Sequence, residues 1–109
     1  MTEAQIQYEC VKWLRNTHLE TYGLFYEVNN NPANKRQGGI RKSMGMVPGV
    51  SDCCFHWKSK TYFIEFKDAK GRQQPIQKEW QKIVESHGFE YHIVRSLTQF
   101  QTIINGLLN

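Results

Sequence analysis

Asp52, Glu65 and Lys67 are the residues in this sequence whose types and spacing best suit shared chemistry. Asp52 opens the run Asp-Cys-Cys-Phe-His-Trp, and Glu65 and Lys67 close the run Thr-Tyr-Phe-Ile-Glu-Phe-Lys, with Lys58, Ser59 and Lys60 between them. Both runs are rich in strand formers, so segments 52–57 and 61–67 read as a β-hairpin. A two-residue loop of Lys58 and Ser59 pairs Trp57 with Lys60 and, counted back, sets Asp52 opposite Glu65. A four-residue loop gives the same register, and an odd one breaks it. Opposed residues in an antiparallel pair have Cβ atoms about 4.5–5.5 Å apart, and alternation puts Lys67 on the same face as Glu65.

That register sorts the hairpin. Cys53, Phe55, Trp57, Tyr62, Ile64 and Phe66 share one apolar face, while Asp52, Cys54, His56, Thr61, Phe63, Glu65 and Lys67 share the other. Two facing carboxylates repel, so they need a cation, a shared proton or solvent. A divalent ion answers that need: Mg²⁺, and Mn²⁺ like it, is commonly held by one or two carboxylates plus waters and phosphate oxygens. Lys67 then orients an attacking water or neutralises charge developing on a phosphate. The bland alternative is a solvated strand face. Context argues against it: no acidic residue occurs between Glu27 and Asp52, while Lys35, Arg36, Arg41 and Lys42 gather there among Asn, Gly and Ser. They read as a positive loop able to hold a phosphate backbone.

The elements that must position these residues follow from local signals. Thr2-Glu3-Ala4-Gln5 has the form of a capping box, and Ile6, Cys10, Trp13 and Leu14 recur at helical spacing, predicting a helix to about His18. Leu24 to Val28 reads as a strand and Asn29 to Gly49 as a long irregular connection. Pro75 starts a second helix whose apolar stripe is Ile76, Trp80, Ile83 and Val84, and Gly88 ends it. Glu90 to Arg95 reads as a strand. Ser96 and Gln99 cap a last amphipathic helix carrying Leu97, Phe100, Ile103, Ile104, Leu107 and Leu108. Alternation of this kind predicts an α/β fold, a central mixed β-sheet flanked by helices, with an antiparallel hairpin and a parallel crossover.

The 109 residues suit a single domain, 1–109, with one modest core, and the net charge of +4 leans toward an anionic partner. No apolar run approaches the roughly 20 residues needed to cross a bilayer, so the expectation is a cytoplasmic protein with no membrane partner. The three cysteines, Cys10, Cys53 and Cys54, form neither a disulfide framework nor a zinc spacing, and are expected to be reduced packing residues. His56 lies on the carboxylate face, where it either touches substrate or is simply hydrogen-bonded. His18, His87 and His92 have no metal spacing, and the three tryptophans fit core positions.

Glu3 in the first helix, Gly49-x-Ser51-Asp52, Glu65-x-Lys67, and Gln77 with Trp80 together resemble the virus-type replication-repair nuclease (VRR-NUC) domain, a branch of the PD-(D/E)XK nuclease superfamily. The resemblance covers nearly the whole chain. It implies a restriction-endonuclease-like core in which Asp52, Glu65 and Glu3 bind metal, Lys67 assists the water, and Gln77 completes the site. Read by themselves, Glu3 either turns toward the sheet or supplies a favourable charge to its helix N-terminus, and Gln77 either borders the site or is solvated. Gln74 stands where such domains often have Ser or Thr. The resemblance further implies a Mg²⁺- or Mn²⁺-dependent DNA endonuclease, a homodimer cutting branched DNA such as four-way junctions. The rival readings are a DNA-binding module without catalysis and a ribonuclease using the same site.

Overall fold

The computed structural model describes residues 1–28 and 32–109. Helix α1 (Glu3–Thr17) begins at the expected capping box: Thr2 Oγ1 accepts from the Gln5 amide at 3.1 Å and Gln5 Oε1 accepts from the Thr2 amide at 2.8 Å. Such a cap contributes about 1 kcal/mol. A short 3₁₀ turn (Leu19–Thr21) leads to strand β1 (Phe25–Glu27). Strands β2 (Cys53–Trp57) and β3 (Lys60–Phe66) form the hairpin. Its loop has two residues, Lys58 and Ser59, both at positive φ (49° and 67°), as a type I′ turn requires. Trp57 pairs with Lys60 and Cys53 with Ile64, the even register expected.

Helix α3 (Pro75–Ser86) crosses from β3 to β4 (Glu90–Val94), which lies parallel to β3. Helix α4 (Leu97–Leu108) follows, its Ser96 Oγ accepting from the Gln99 amide at 3.2 Å. Gln99 does not close a reciprocal box; its Oε1 takes the Arg95 amide at 2.7 Å. The sheet order is β1-β2-β3-β4, antiparallel except for the last pair. This is the mixed, helix-flanked α/β sheet that the sequence predicts.

Alternation decides what covers each face. Cys53, Phe55, Tyr62, Ile64 and Phe66 turn toward α1 and α4, meeting Ile6, Cys10, Leu14, Phe100 and Ile104 in one buried cluster. Each large apolar side chain buried there contributes about 1.5–3 kcal/mol. Phe63 points the other way and meets Trp80 of α3 edge to face at 4.9 Å. The polar face of the hairpin therefore lies on the α3 side. Only part of the expected stripe on α3 is buried: Val84 packs and Trp80 is half-buried, while Ile76 and Ile83 are 42% and 57% exposed. At 100° per residue those two fall on one edge of the stripe, away from Val84.

The structure also corrects the irregular connection. Residues 29–31 of that segment lie outside the described residues, but Lys35–Ser43 forms helix α2. Asn34 Oδ1 caps it by accepting from the Gln37 amide at 2.9 Å. Lys35, Arg36, Arg41 and Lys42 thus stand on a helix and not on a loop. Seven residues apart, Lys35 and Lys42 share a face, with Arg36 and Arg41 fanned to either side.

Gly49 joins this segment to the site. Its φ is +88°, and a Cβ there would stand 2.6 Å from the Ile76 carbonyl oxygen in the first turn of α3. Gly49→Ala is expected to cost about 1–3 kcal/mol, a fall in melting temperature on the order of 4–8 °C per kcal/mol for a small domain. Gly39→Ala, within α2 and with open space around the position, should leave the midpoint unchanged or raise it. Equal midpoints for both variants in a thermal scan refute the packing role of Gly49.

Candidate active site

Asp52 lies one residue before β2, where the ladder with β3 has ended. Its carbonyl accepts from the Val28 amide at 2.8 Å, which ties it to the end of β1. Its side chain reaches the other way, and Oδ2 accepts from the Phe66 amide at 2.7 Å. The carboxylate thus takes a β3 amide that has no ladder partner on β2. Ser51, fully buried, braces the approach by donating Oγ to the Cys53 carbonyl at 3.0 Å.

Glu65 is 1% exposed and Lys67 is 6% exposed, so both are buried charged residues. Glu65 Oε1 accepts from the hydroxyl of Tyr91, a β4 residue, and Glu65 Oε2 is buried with no hydrogen-bond partner among the described residues. A buried carboxylate oxygen without a partner is costly and calls for a cation or an ordered donor. No carboxylate lies within 4.0 Å of the Lys67 ammonium among the described residues. The backbone holds Lys67 instead: its amide donates to the Val94 carbonyl at 3.0 Å. Arg95 Nη1 then pins the following turn through the Asp68 and Gly71 carbonyls, each at 2.7 Å.

The charges interact. Burial, the largest influence, raises the Asp52 carboxyl above the ordinary aspartate range; the Phe66 amide opposes this, Glu65 raises it further, Lys67 lowers it and Glu27 adds a smaller rise. Burial also raises the Tyr91 phenol, and its bond to Glu65 adds to the effect. Both groups sit where negative charge is crowded and poorly hydrated.

Asp52, Glu65 and Lys67 are therefore brought together. Glu3 is exposed in the first turn of α1, and it is not among the groups acting on Asp52. Gln77 is half-buried on α3, where its Oε1 accepts from the Gln74 amide at 2.8 Å. It supplies the N-terminal cap from within the helix, which explains how α3 starts at Gln74 without a Ser or Thr. No cluster of three or more His, Cys, Asp or Glu residues suited to a metal occurs among the described residues.

The donor set fits a hard divalent ion in a more limited way. Each of the two carboxylates has one oxygen tied down and another without a hydrogen bond among the described residues. Mg²⁺ and Mn²⁺ sites commonly need no more than that from protein, because waters and phosphate oxygens complete the shell.

Of the other groups, His56 is hydrogen-bonded on both ring nitrogens, to the Tyr26 hydroxyl at 2.6 Å and Thr61 Oγ1 at 2.8 Å. His18 and His92 pair with Glu20 and Glu90. The cysteines are free; Cys53 and Cys54 point to opposite faces, and burial raises the Cys10 thiol to about 12. Trp13 and Trp57 pack on Phe100 and Phe55. No local sequence signal marks Tyr91, Arg95 or the Glu27 carboxylate as neighbours of the site. Arg41 lines a groove with Val28 and Val50, beside the Asp52 backbone, while Lys35 and Lys42 line an adjoining groove with Pro48. A further groove between α1 and β1 contains Lys12 and Arg15 but neither Asp52 nor Glu65.

A mixed sheet with this order, carrying an aspartate beside β2 and Glu-x-Lys at the end of β3, defines a helix-flanked α/β domain with an acidic-lysine centre. The solved structure of a "VRR_NUC domain protein" superposes on 99% of this chain and 88% of its own, with a TM-score of 0.80 and 18% sequence identity. The two share a fold at that level of identity. By sequence, no family model and no curated protein matches the chain. No helix among the described residues is long and apolar enough to cross a membrane.

Proposed function

We propose that this protein is a metal-dependent endonuclease that hydrolyses phosphodiester bonds in DNA, selecting branched forms such as four-way junctions and acting as a homodimer. The observation that carries the catalytic reading is the convergence of two anchored carboxylates, one with an orphaned buried oxygen, beside the buried Lys67. The fold shared with a VRR_NUC domain protein supports it.

Asp52 and Glu65 would hold Mg²⁺ or Mn²⁺, with Glu3 as the further metal residue and Gln77 completing the site, as the resemblance implies. When bound, the ion supplies Lewis-acid stabilisation of charge on the phosphoryl oxygens. Lys67 orients the attacking water and offsets negative charge as the new P–O bond forms and the bond to the sugar oxygen breaks. Low exposure strengthens that electrostatic effect, since water screens it poorly. The cations of α2 hold the flanking backbone, with Arg41 in the groove that Val28 and Val50 line.

The test is a cleavage panel of linear, flapped and four-way DNA, with matched RNA, in Mg²⁺, in Mn²⁺ and in chelator. Metal-dependent cutting that is fastest on four-way DNA is expected. Binding without cutting in either metal identifies a non-catalytic DNA-binding module, and faster cutting of RNA identifies a ribonuclease. Sedimentation of the free protein checks the dimer.

A further inference from the structure

Tyr91 is 8% exposed, and its hydroxyl donates to Glu65 Oε1, across the parallel pairing of β3 and β4. Its ring sits against Trp80 at 6.0 Å, so the phenol is held from the α3 side. The Gln73 amide acts on the same phenol and is itself held by Gln81 Oε1 at 2.9 Å. One oxygen of Glu65 is thereby committed, and Oε2 is left buried without a hydrogen-bond partner among the described residues.

A glutamate side chain has three rotatable bonds, and a free carboxylate can turn either oxygen, or both, toward a cation. A donor fixed to one oxygen removes that choice. We propose that Tyr91 is a positioning residue for metal binding: by holding Glu65 Oε1 it presents Oε2 as the single ligating oxygen. This rests on the metal-dependent reading above. Hydrogen-bond partners of metal ligands typically contribute 10–100-fold in metal affinity or activity, because they fix orientation before the ion arrives.

The test measures Mn²⁺ binding to the whole protein by titration calorimetry in the absence of DNA. Tyr91→Phe keeps the ring against Trp80 and removes only the donor. Its Mn²⁺ dissociation constant is expected to rise about 10-fold or more, and the Mn²⁺ concentration for half-maximal cleavage should rise in parallel, with the rate at saturating Mn²⁺ changing much less. In a Glu65→Gln background the same substitution should make no further difference, because Tyr91 acts through Glu65.

A merely structural tyrosine gives a different pattern: a lower melting temperature in chelator with an unchanged Mn²⁺ constant, which overturns the proposal. Should Tyr91→Phe fail to fold, Tyr91→Leu, which also lacks a donor and cannot ligate the ion, decides: a several-fold loss of Mn²⁺ affinity supports positioning, and unchanged affinity overturns it. If the wild type shows neither Mn²⁺ binding nor Mn²⁺-dependent cleavage, the metal-dependent reading falls and the inference falls with it. Wild-type binding that Tyr91→Phe leaves intact removes the inference alone.

Discussion

Asp52→Asn should reduce cleavage of branched DNA by about 10³-fold or more, a loss of about 4 kcal/mol in transition-state stabilisation, while leaving DNA binding near the wild-type level. The structure makes this substitution a clean probe. Asp52 Oδ2 accepts from the Phe66 amide at 2.7 Å, and the asparagine oxygen can accept the same bond, so the joint between β2 and β3 survives. Only the charge and the second carboxylate oxygen are lost. Glu65→Gln is the matched case, since its amide oxygen still accepts from Tyr91. Lys67→Ala should also lose most activity, yet keep more of the metal affinity. Single-turnover cleavage in Mg²⁺, paired with a mobility-shift assay in Ca²⁺, separates chemistry from binding. Turnover by either carboxylate variant within about tenfold of wild type (about 1.4 kcal/mol) contradicts the site assignment.

Replacing Lys35, Arg36, Arg41 and Lys42 together by Gln should produce the second large effect, on binding. If all four contact phosphates of duplex arms, the slope of log affinity against log salt should become shallower by up to about 3–4, because each contact releases close to one condensed counterion. The helical placement sharpens this expectation. Lys35 and Lys42 share one face and Arg41 lies by the Asp52 segment, whereas Arg36 turns to the other flank. Single variants should therefore be unequal, with Arg36→Gln the mildest. Arg41 and Lys42 also occupy the last turn of α2, where cations favour the helix dipole, so helicity is checked by circular dichroism beside the titration. An unchanged salt slope places the DNA contacts elsewhere, with the Lys12 and Arg15 groove as the next surface to neutralise.

How legible each feature was depends on how far apart in the chain its causes lie. Thr2 caps α1 through a residue three positions on, Ser96 does so for α4, and Pro75 marks the start of α3, so these helices are written locally. The hairpin is local too. Its two strands alternate in phase across two loop residues, which sets the faces and brings Asp52 near Glu65 and Lys67. Helix α2 is not legible in the sequence although Asn34-x-x-Gln37 carries a cap signal, because Gly38 and Gly39 lower its helix propensity and it has no apolar stripe.

The sequence by itself determined the α/β class, the parallel crossover and the acidic-lysine grouping, through hydrophobic period and short-range hydrogen bonds that need no distant partner. Tertiary structure alone decided how that grouping is held. Asp52 bonds to Phe66 fourteen residues away, Tyr91 to Glu65 twenty-six away, and Arg95 to Asp68 twenty-seven away. It also decided that Glu65 and Lys67 are buried while Ile76 and Ile83 are not. Burial is a property of what packs over a face, and periodicity names the face without naming its cover.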